Sequence, residues 1–230
     1  MNTVNLARRN PLNRLHQANG AQLTKLNEAE IVDHYGDSSL EEKSLNTLAL
    51  CDLSALSRWG CKGAGAPNWI ESTGLELPSL PNKAVLQSNG GLLARLSLEE
   101  CLLLDGVGTT CEWPMTIEKK CTEQNPERVY SLPRADSHGW FALTGENASD
   151  TLAKVCGVDL RLTKFANGDV AQTSVARVNA IIIRADLKTV PCFYILSDLS
   201  SAEFLWTCLI DAMQEFEGRA VGFTAFKSTL

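Results

Sequence analysis

Short apolar runs separated by polar turns recur in the same order in the two halves of the chain, and that order predicts its elements. Arg58–Lys62 and residues 140–144 each read as a short strand carrying an aromatic residue. Each is followed by a glycine, an alanine three positions on and an aliphatic residue four beyond that. These are Gly63, Ala66 and Ile70 in the first stretch and Gly145, Ala148 and Leu152 in the second. The i, i+4 step predicts a helix whose inner face is small and aliphatic. The glycine lets the strand turn sharply into that helix. Polar turns come next, with Asn82 in the first copy and Asn167-Gly168 in the second.

Strand-like runs then follow in both copies. In the first they are residues 84–87 and 92–96, joined by Ser88-Asn89-Gly90-Gly91, and then Glu100–Leu104. Asn-Gly between two apolar runs predicts a hairpin, because both residues tolerate positive φ. In the second copy Val170–Val175, Val178–Arg184 and residues 192–197 take the same parts, and Ile181, Ile182 and Ile183 suit a buried strand. Residues 201–216 read as the clearest helix, with Ser200 and Glu203 at capping-box spacing and a stripe of Leu205, Leu209, Met213 and Phe216.

The order strand–helix–strand–strand–strand–helix predicts an α+β fold of duplicated ferredoxin-like units, since adjacent strands are joined by short turns. The organisation expected is an N-terminal arm (1–48), a first repeat (49–105), a connection (106–137), a second repeat (138–218) and a tail (219–230). The first repeat is expected to lack its closing helix, with a single strand at residues 113–117 in the connection.

Charge and composition narrow the classes. The 230 residues are 44% hydrophobic and 21% charged, with a net charge of −6, which argues against nucleic-acid binding despite a small basic patch at Arg8, Arg9 and Arg14. No apolar run approaches the ~20 residues of a membrane span. Residues 1–17 lack the apolar stretch of a signal peptide, so a cytoplasmic location is expected. Eight cysteines, Cys51, Cys61, Cys101, Cys111, Cys121, Cys156, Cys192 and Cys208, sit mostly within apolar runs and are expected as small buried hydrophobes. No C-x-x-C pair occurs, and His16, His34 and His138 are far apart, so no metal site is expected.

Candidate chemistry is sparse. Gly63-Ala64-Gly65-Ala66-Pro67 comes nearest to a dinucleotide fingerprint but lacks the third glycine, and Gly106-Val107-Gly108 is weaker. No G-x-S-x-G elbow is present. His138 could accept protons, but no nucleophile accompanies it, and a hydrogen-bonded surface histidine is expected. Glu41-Glu42 and Glu99-Glu100 read as solvated faces.

Taken in order, several stretches resemble the gamma subunit family of heterotetrameric sarcosine oxidase. They are residues 140–145, Ala148, Leu152, Val158-Asp159-Leu160, Phe165, Gly168, residues 171–173 and residues 197–206, then Leu209, Asp211-Ala212 and Glu215-Phe216. The likeness extends more weakly to residues 51–54, Gly63 and Asn10-Pro11-Leu12. It implies a fold related to the folate-binding domain of the glycine cleavage T-protein and its aminomethyltransferase relatives. It further implies a gamma-type assembly subunit of a flavin-dependent sarcosine oxidase, which oxidatively demethylates an N-methyl amino acid, with no catalytic centre on this chain. N-methylglutamate dehydrogenases are expected to use the same small subunit. Alpha, beta and delta subunits are the expected partners, carrying FAD, FMN, NAD and tetrahydrofolate. The docking surface is expected from Pro11, Leu12 and Leu15 of the arm and Val221, Phe223 and Phe226 of the tail, the alternative being packing against the chain's own core. The second reading is a self-standing folate-binding or aminomethyltransferase-like one-carbon protein. In that reading Asp159 is the nearest counterpart of the acidic residue against the pterin ring; otherwise it caps its loop. The K-G-C-Y-x-G-Q-E motif of related tRNA-modification proteins is absent.

Overall fold

In this computed structural model, which describes residues 8–108 and 112–229, most of the expected arm is built into elements. Helix α1 (Asn13–Ala18) leads to a hairpin of β1 (Gln22–Leu26) and β2 (Ala29–His34), then to α2 (Ser38–Thr47) and β3 (Ala49–Asp52). Asn27 turns the hairpin at φ 52°, a left-handed conformation that Asn tolerates. Asp37 caps α2 by accepting from the Ser39 N–H at 2.9 Å.

The first unit is β4 (Arg58–Lys62), α3 (Ala66–Ser72), β5 (Lys83–Leu86), β6 (Leu92–Arg95), β7 (Glu100–Leu104), α4 (Trp113–Gln124) and β8 (Tyr130–Pro133). The second is β9 (His138–Thr144), α5 (Ala148–Ala153), β10 (Val170–Val175), β11 (Val178–Arg184), β12 (Cys192–Asp198), α6 (Ala202–Met213) and β13 (Arg219–Val221), with α7 (Phe223–Ser228) after it. The two units match element for element. The first therefore does possess its closing helix: α4 occupies the stretch expected as a connection, and residues 113–117 begin a helix rather than form a strand. Pro114 is tolerated there because it lies in the first turn, where its missing N–H has no intrahelical partner to lose. Only Trp113, Pro114 and Cys121 of α4 are buried, so its sequence carries no full apolar stripe.

The sheets repeat the correspondence. One runs β5-β6-β7-β4-β8; the other runs β10-β11-β12-β9-β3-β13, with β3 set between β9 and β13. β3 is antiparallel to β9 and parallel to β13. Thus β3, expected in the first repeat, and β13, expected in the tail, both complete the second sheet. Alternating side chains give each sheet two apolar faces. Trp59, Cys61, Leu93 and Leu103 pack with Trp69, Ile70 and Trp113 of α3 and α4. Leu50, Phe141, Ile182 and Phe193 pack with Leu152, Leu205 and Leu209 of α5 and α6. The remaining faces meet each other, Leu102 and Leu104 joining Trp140, Ala142, Tyr194 and Leu196 in one core. The layers are helix, sheet, sheet, helix.

Three expectations change at this level. Leu12, Val221, Phe223 and Phe226 are buried in the chain's own core and offer no docking surface. The turn before α6 is capped by Asp198, which accepts from the Ser200 N–H at 2.8 Å and its hydroxyl at 2.6 Å, in place of a Ser200–Glu203 box. Glu41 is not solvated: it is buried, accepting from the N–H groups of Tyr35 (2.6 Å), Gly36 (3.1 Å) and Gly222 (2.7 Å). Cys51, Cys61, Cys101, Cys121, Cys156 and Cys192 are free and buried, and Cys208 is free and half-buried. Cys111 lies outside the described residues. Among the described residues no helix is long and apolar enough to cross a membrane.

Candidate functional site

The two units are stitched together where β5 meets β10. The Ala84 N–H donates to the Gly168 carbonyl at 2.7 Å and the Val170 N–H to the Asn82 carbonyl at 3.0 Å. Lys83 pairs with Asp169, and Gln172 Nε2 donates to Asn82 Oδ1 (2.9 Å) and the Leu96 carbonyl (2.7 Å). Gly168 permits this approach: its φ is +86°, and a Cβ there would lie 2.8 Å from the Ala84 carbonyl oxygen.

Beside the junction opens a cavity of about 530 Å³, within the size range of small-molecule sites. Its apolar walls include Leu86 and Leu92 of the first hairpin, Val107, and Leu187; its polar side chains are Asp105, Asn167, Arg184, Asp186, Lys188 and Tyr194. The charged pair is internally satisfied. Arg184 Nε and Nη2 donate to Asp186 Oδ1 (3.0 Å) and Oδ2 (2.8 Å), and its Nη1 donates to the carbonyls of Leu162 (2.9 Å) and Phe165 (2.5 Å). Asp105 accepts from the Ser57 hydroxyl at 2.9 Å and the Gly106 N–H at 3.0 Å, yet burial still pushes its pKa up. Burial likewise raises the Tyr194 phenol, which meets Trp140 edge-on with ring centres 5.2 Å apart. The site therefore presents apolar walls, a carboxyl whose pKa burial raises, a neutral phenol, Lys188, and the Asn167 amide, whose oxygen accepts from the Asp186 N–H at 3.0 Å.

Each Asp105 oxygen keeps a further lone pair beyond the bond it already accepts. A dinucleotide fits poorly at the Gly63–Gly65 turn. A Cβ on Gly63 would lie 2.1 Å from the Arg128 carbonyl oxygen and one on Gly65 2.2 Å from that of Glu127. The Gly65 N–H already donates to Arg128 at 3.1 Å. The chain's own backbone fills the space a pyrophosphate would need.

The residues singled out from sequence scatter. Asp159 lies on the exposed loop after α5, its carboxylate accepting from Arg161 Nε (2.8 Å) and Nη2 (2.5 Å), apart from the cavity's lining. Arg161 pulls its pKa down to about 2. His138 is half-buried. Arg134 Nη1 faces its Nε2 at 3.3 Å, so Nδ1 carries the proton toward the Ser137 hydroxyl at 2.8 Å. Burial, then Arg134 and Arg58, lower its pKa to about 4. Glu100 pairs with Arg134 at 2.7 Å. Among the described residues no group of His, Cys, Asp or Glu is arranged to hold a metal ion. Asp105, Arg184, Asp186 and Tyr194 escaped the sequence reading. Their only local signals are a carboxylate closing the apolar run of β7 and an Arg-x-Asp at the end of β11.

Three comparisons bear on this architecture. No family model matches the chain. It is 22% identical over 231 residues to an aminomethyltransferase of Saccharopolyspora erythraea, covering 94% of this chain and 61% of that protein, so it spans about three-fifths of the relative's length. Among solved structures, it superposes on glycine cleavage system aminomethyltransferase T from Bartonella henselae with a TM-score of 0.73 at 16% identity, covering 95% of this chain and 60% of that one. It superposes on a chain of heterotetrameric sarcosine oxidase from a Corynebacterium species, solved in complex with pyrrole 2-carboxylate, with a TM-score of 0.66 at 21% identity. That match covers 91% of this chain and 96% of the other. At such identities the likeness is one of fold: the α+β fold of two repeated units in this chain is the one it shares with aminomethyltransferase T and with a sarcosine oxidase chain.

Proposed function

We propose that this chain is a gamma-type assembly subunit of a multi-subunit, flavin-dependent sarcosine oxidase in the cytoplasm, without a catalytic centre of its own. The observation that carries the reading is the superposition on a heterotetrameric sarcosine oxidase chain over 96% of that chain's length. In the inter-unit cavity Arg184 and Asp186 neutralise each other. FAD, FMN, NAD and tetrahydrofolate then belong to alpha, beta and delta partners. Exposed Leu80, Leu86 and Leu98 of the first unit supply apolar surface for docking in place of the arm and tail. Affinity capture of the chain co-expressed with candidate flavin subunits should recover a yellow complex that oxidises sarcosine. Capture of the chain alone, with no flavoprotein, would sink the proposal.

A second reading, a folate-binding one-carbon protein, is favoured by the cavity beside Asp105. Calorimetric titration with tetrahydrofolate should then give saturable heat that Asp105→Ala removes and Asp159→Asn leaves unchanged. Absence of heat at millimolar ligand eliminates it.

A further inference from the structure

A second cavity, of about 520 Å³, shares no lining residue with the first. It lies among α1, the start of α2, α6 and the approach to β13, with Leu15, Leu40, Trp206 and Ile210 as apolar walls. Beside it runs a chain of polar groups, buried at Asp52 and His16 and half-buried at Tyr35. Asp52 is fully buried and accepts from Asn10 Nδ2 at 2.9 Å, from the Ser54 N–H at 2.8 Å and from His16 Nε2 at 2.8 Å. The other ring nitrogen of His16, Nδ1, lies 2.7 Å from the Tyr35 hydroxyl. Trp206 holds the imidazole edge-on at 4.9 Å between ring centres, and both His16 and Tyr35 line the cavity.

The number of protons on the His16 ring sets the polarity of this chain. Burial alone would raise the Asp52 pKa, but the hydrogen bonds it accepts from His16 and Ser54 help hold it below the usual value, so Asp52 is the acceptor. His16 then donates from Nε2, and with a single proton on the ring Nδ1 is left as an acceptor. Tyr35 donates its only proton to Nδ1. Burial and then the charge of Asp52 push the phenol's pKa up, so it remains a neutral O–H. Its oxygen is thereby left with lone pairs alone for the cavity. The other ionisable side chains on the lining are Asp37, Glu41 and Arg219. Two carboxylates against one guanidinium, with Asp52 behind, give the pocket an acidic balance.

We infer that the His16 ring carries a single proton and that this cavity is a binding site for a small amine with an apolar body, its N–H group donating to the Tyr35 oxygen at the end of the Asp52–His16–Tyr35 chain. A carboxylate ligand would need the opposite polarity, with a second proton on the ring and the Tyr35 O–H turned outward.

Three probes test this: benzylamine, which only donates; benzoate, which only accepts; and toluene, which does neither. The NMR resonance of the Trp206 indole N–H should shift saturably with benzylamine, at least fivefold more weakly in Tyr35→Phe, and at least fivefold more weakly with toluene or benzoate. Ile210→Trp fills the cavity from α6 without touching the polar chain, and should abolish the benzylamine response even if Tyr35→Phe fails to fold. Benzoate or toluene binding as well as benzylamine, an unchanged response in either variant, or no saturable response at all would overturn the inference.

Discussion

Asp105 carries a pH dependence whose direction follows from its surroundings. Its pKa is raised above the ordinary 3.8 chiefly by burial. Folding therefore favours its protonated form, a contribution fully present below the unfolded pKa and lost as pH rises through the folded one. At neutral pH the molecule bears that cost, and Asp105→Asn keeps a carbonyl oxygen to accept from Ser57 or Gly106 without the charge. The melting temperature of Asp105→Asn should exceed that of the parent at pH 7 by a few degrees, and the gain should vanish near pH 4. A difference that does not change with pH would refute this. Residue-level chemistry of this kind was the least legible part of the sequence. Asp159 is a counterpart by position along a family pattern, and position alone does not reveal that α5 ends at Ala153 and releases Asp159 to an exposed loop beside Arg161. Asp105 is buried and accepts from Ser57, 48 residues away in the chain, across the sheet.

Between elements, the junction of β5 and β10 is an exacting contact. Gly168→Ala must hold φ +86° and set a Cβ 2.8 Å from the Ala84 carbonyl oxygen, so urea denaturation should register a loss of about 1–3 kcal/mol. Gly157→Ala, with nothing within 4 Å of its Cβ, is the control and should stay within about 0.5 kcal/mol. Strands and the turns into helices were readable because their apolar alternation and their glycines are local properties of the chain. The hairpin at Asn89-Gly90 and the β-branched run of β11 emerged where expected. Helix α4 was not readable: its buried residues number three, its interior is polar, and Trp113 and Ile117 read locally as strand. The pairing of β3 with β9 was equally hidden, since nothing within Ala49–Asp52 says which sheet it will join.

For the whole molecule, the inner faces of the two sheets share one core, from Leu102 and Leu104 to Trp140 and Leu196. Neither unit can expose that face to water without losing much of its burial. Differential scanning calorimetry should therefore give one transition, with calorimetric and van't Hoff enthalpies equal within error. Residues 138–230 expressed alone, lacking β3 and the first sheet, should fail to give a dispersed NMR spectrum. Two resolved transitions, or a well-folded fragment, would contradict a shared core. The place of β3 also sets a timetable for synthesis. It leaves the ribosome before the whole first unit, yet its antiparallel neighbour Phe141–Thr144 and its parallel neighbour Arg219–Val221 follow much later. At about 5–20 residues per second, four buried apolar-rich positions wait on the order of 5–20 s for the first of these partners. In that interval β3 is a bare strand with both edges open, the segment of the nascent chain most in need of a chaperone.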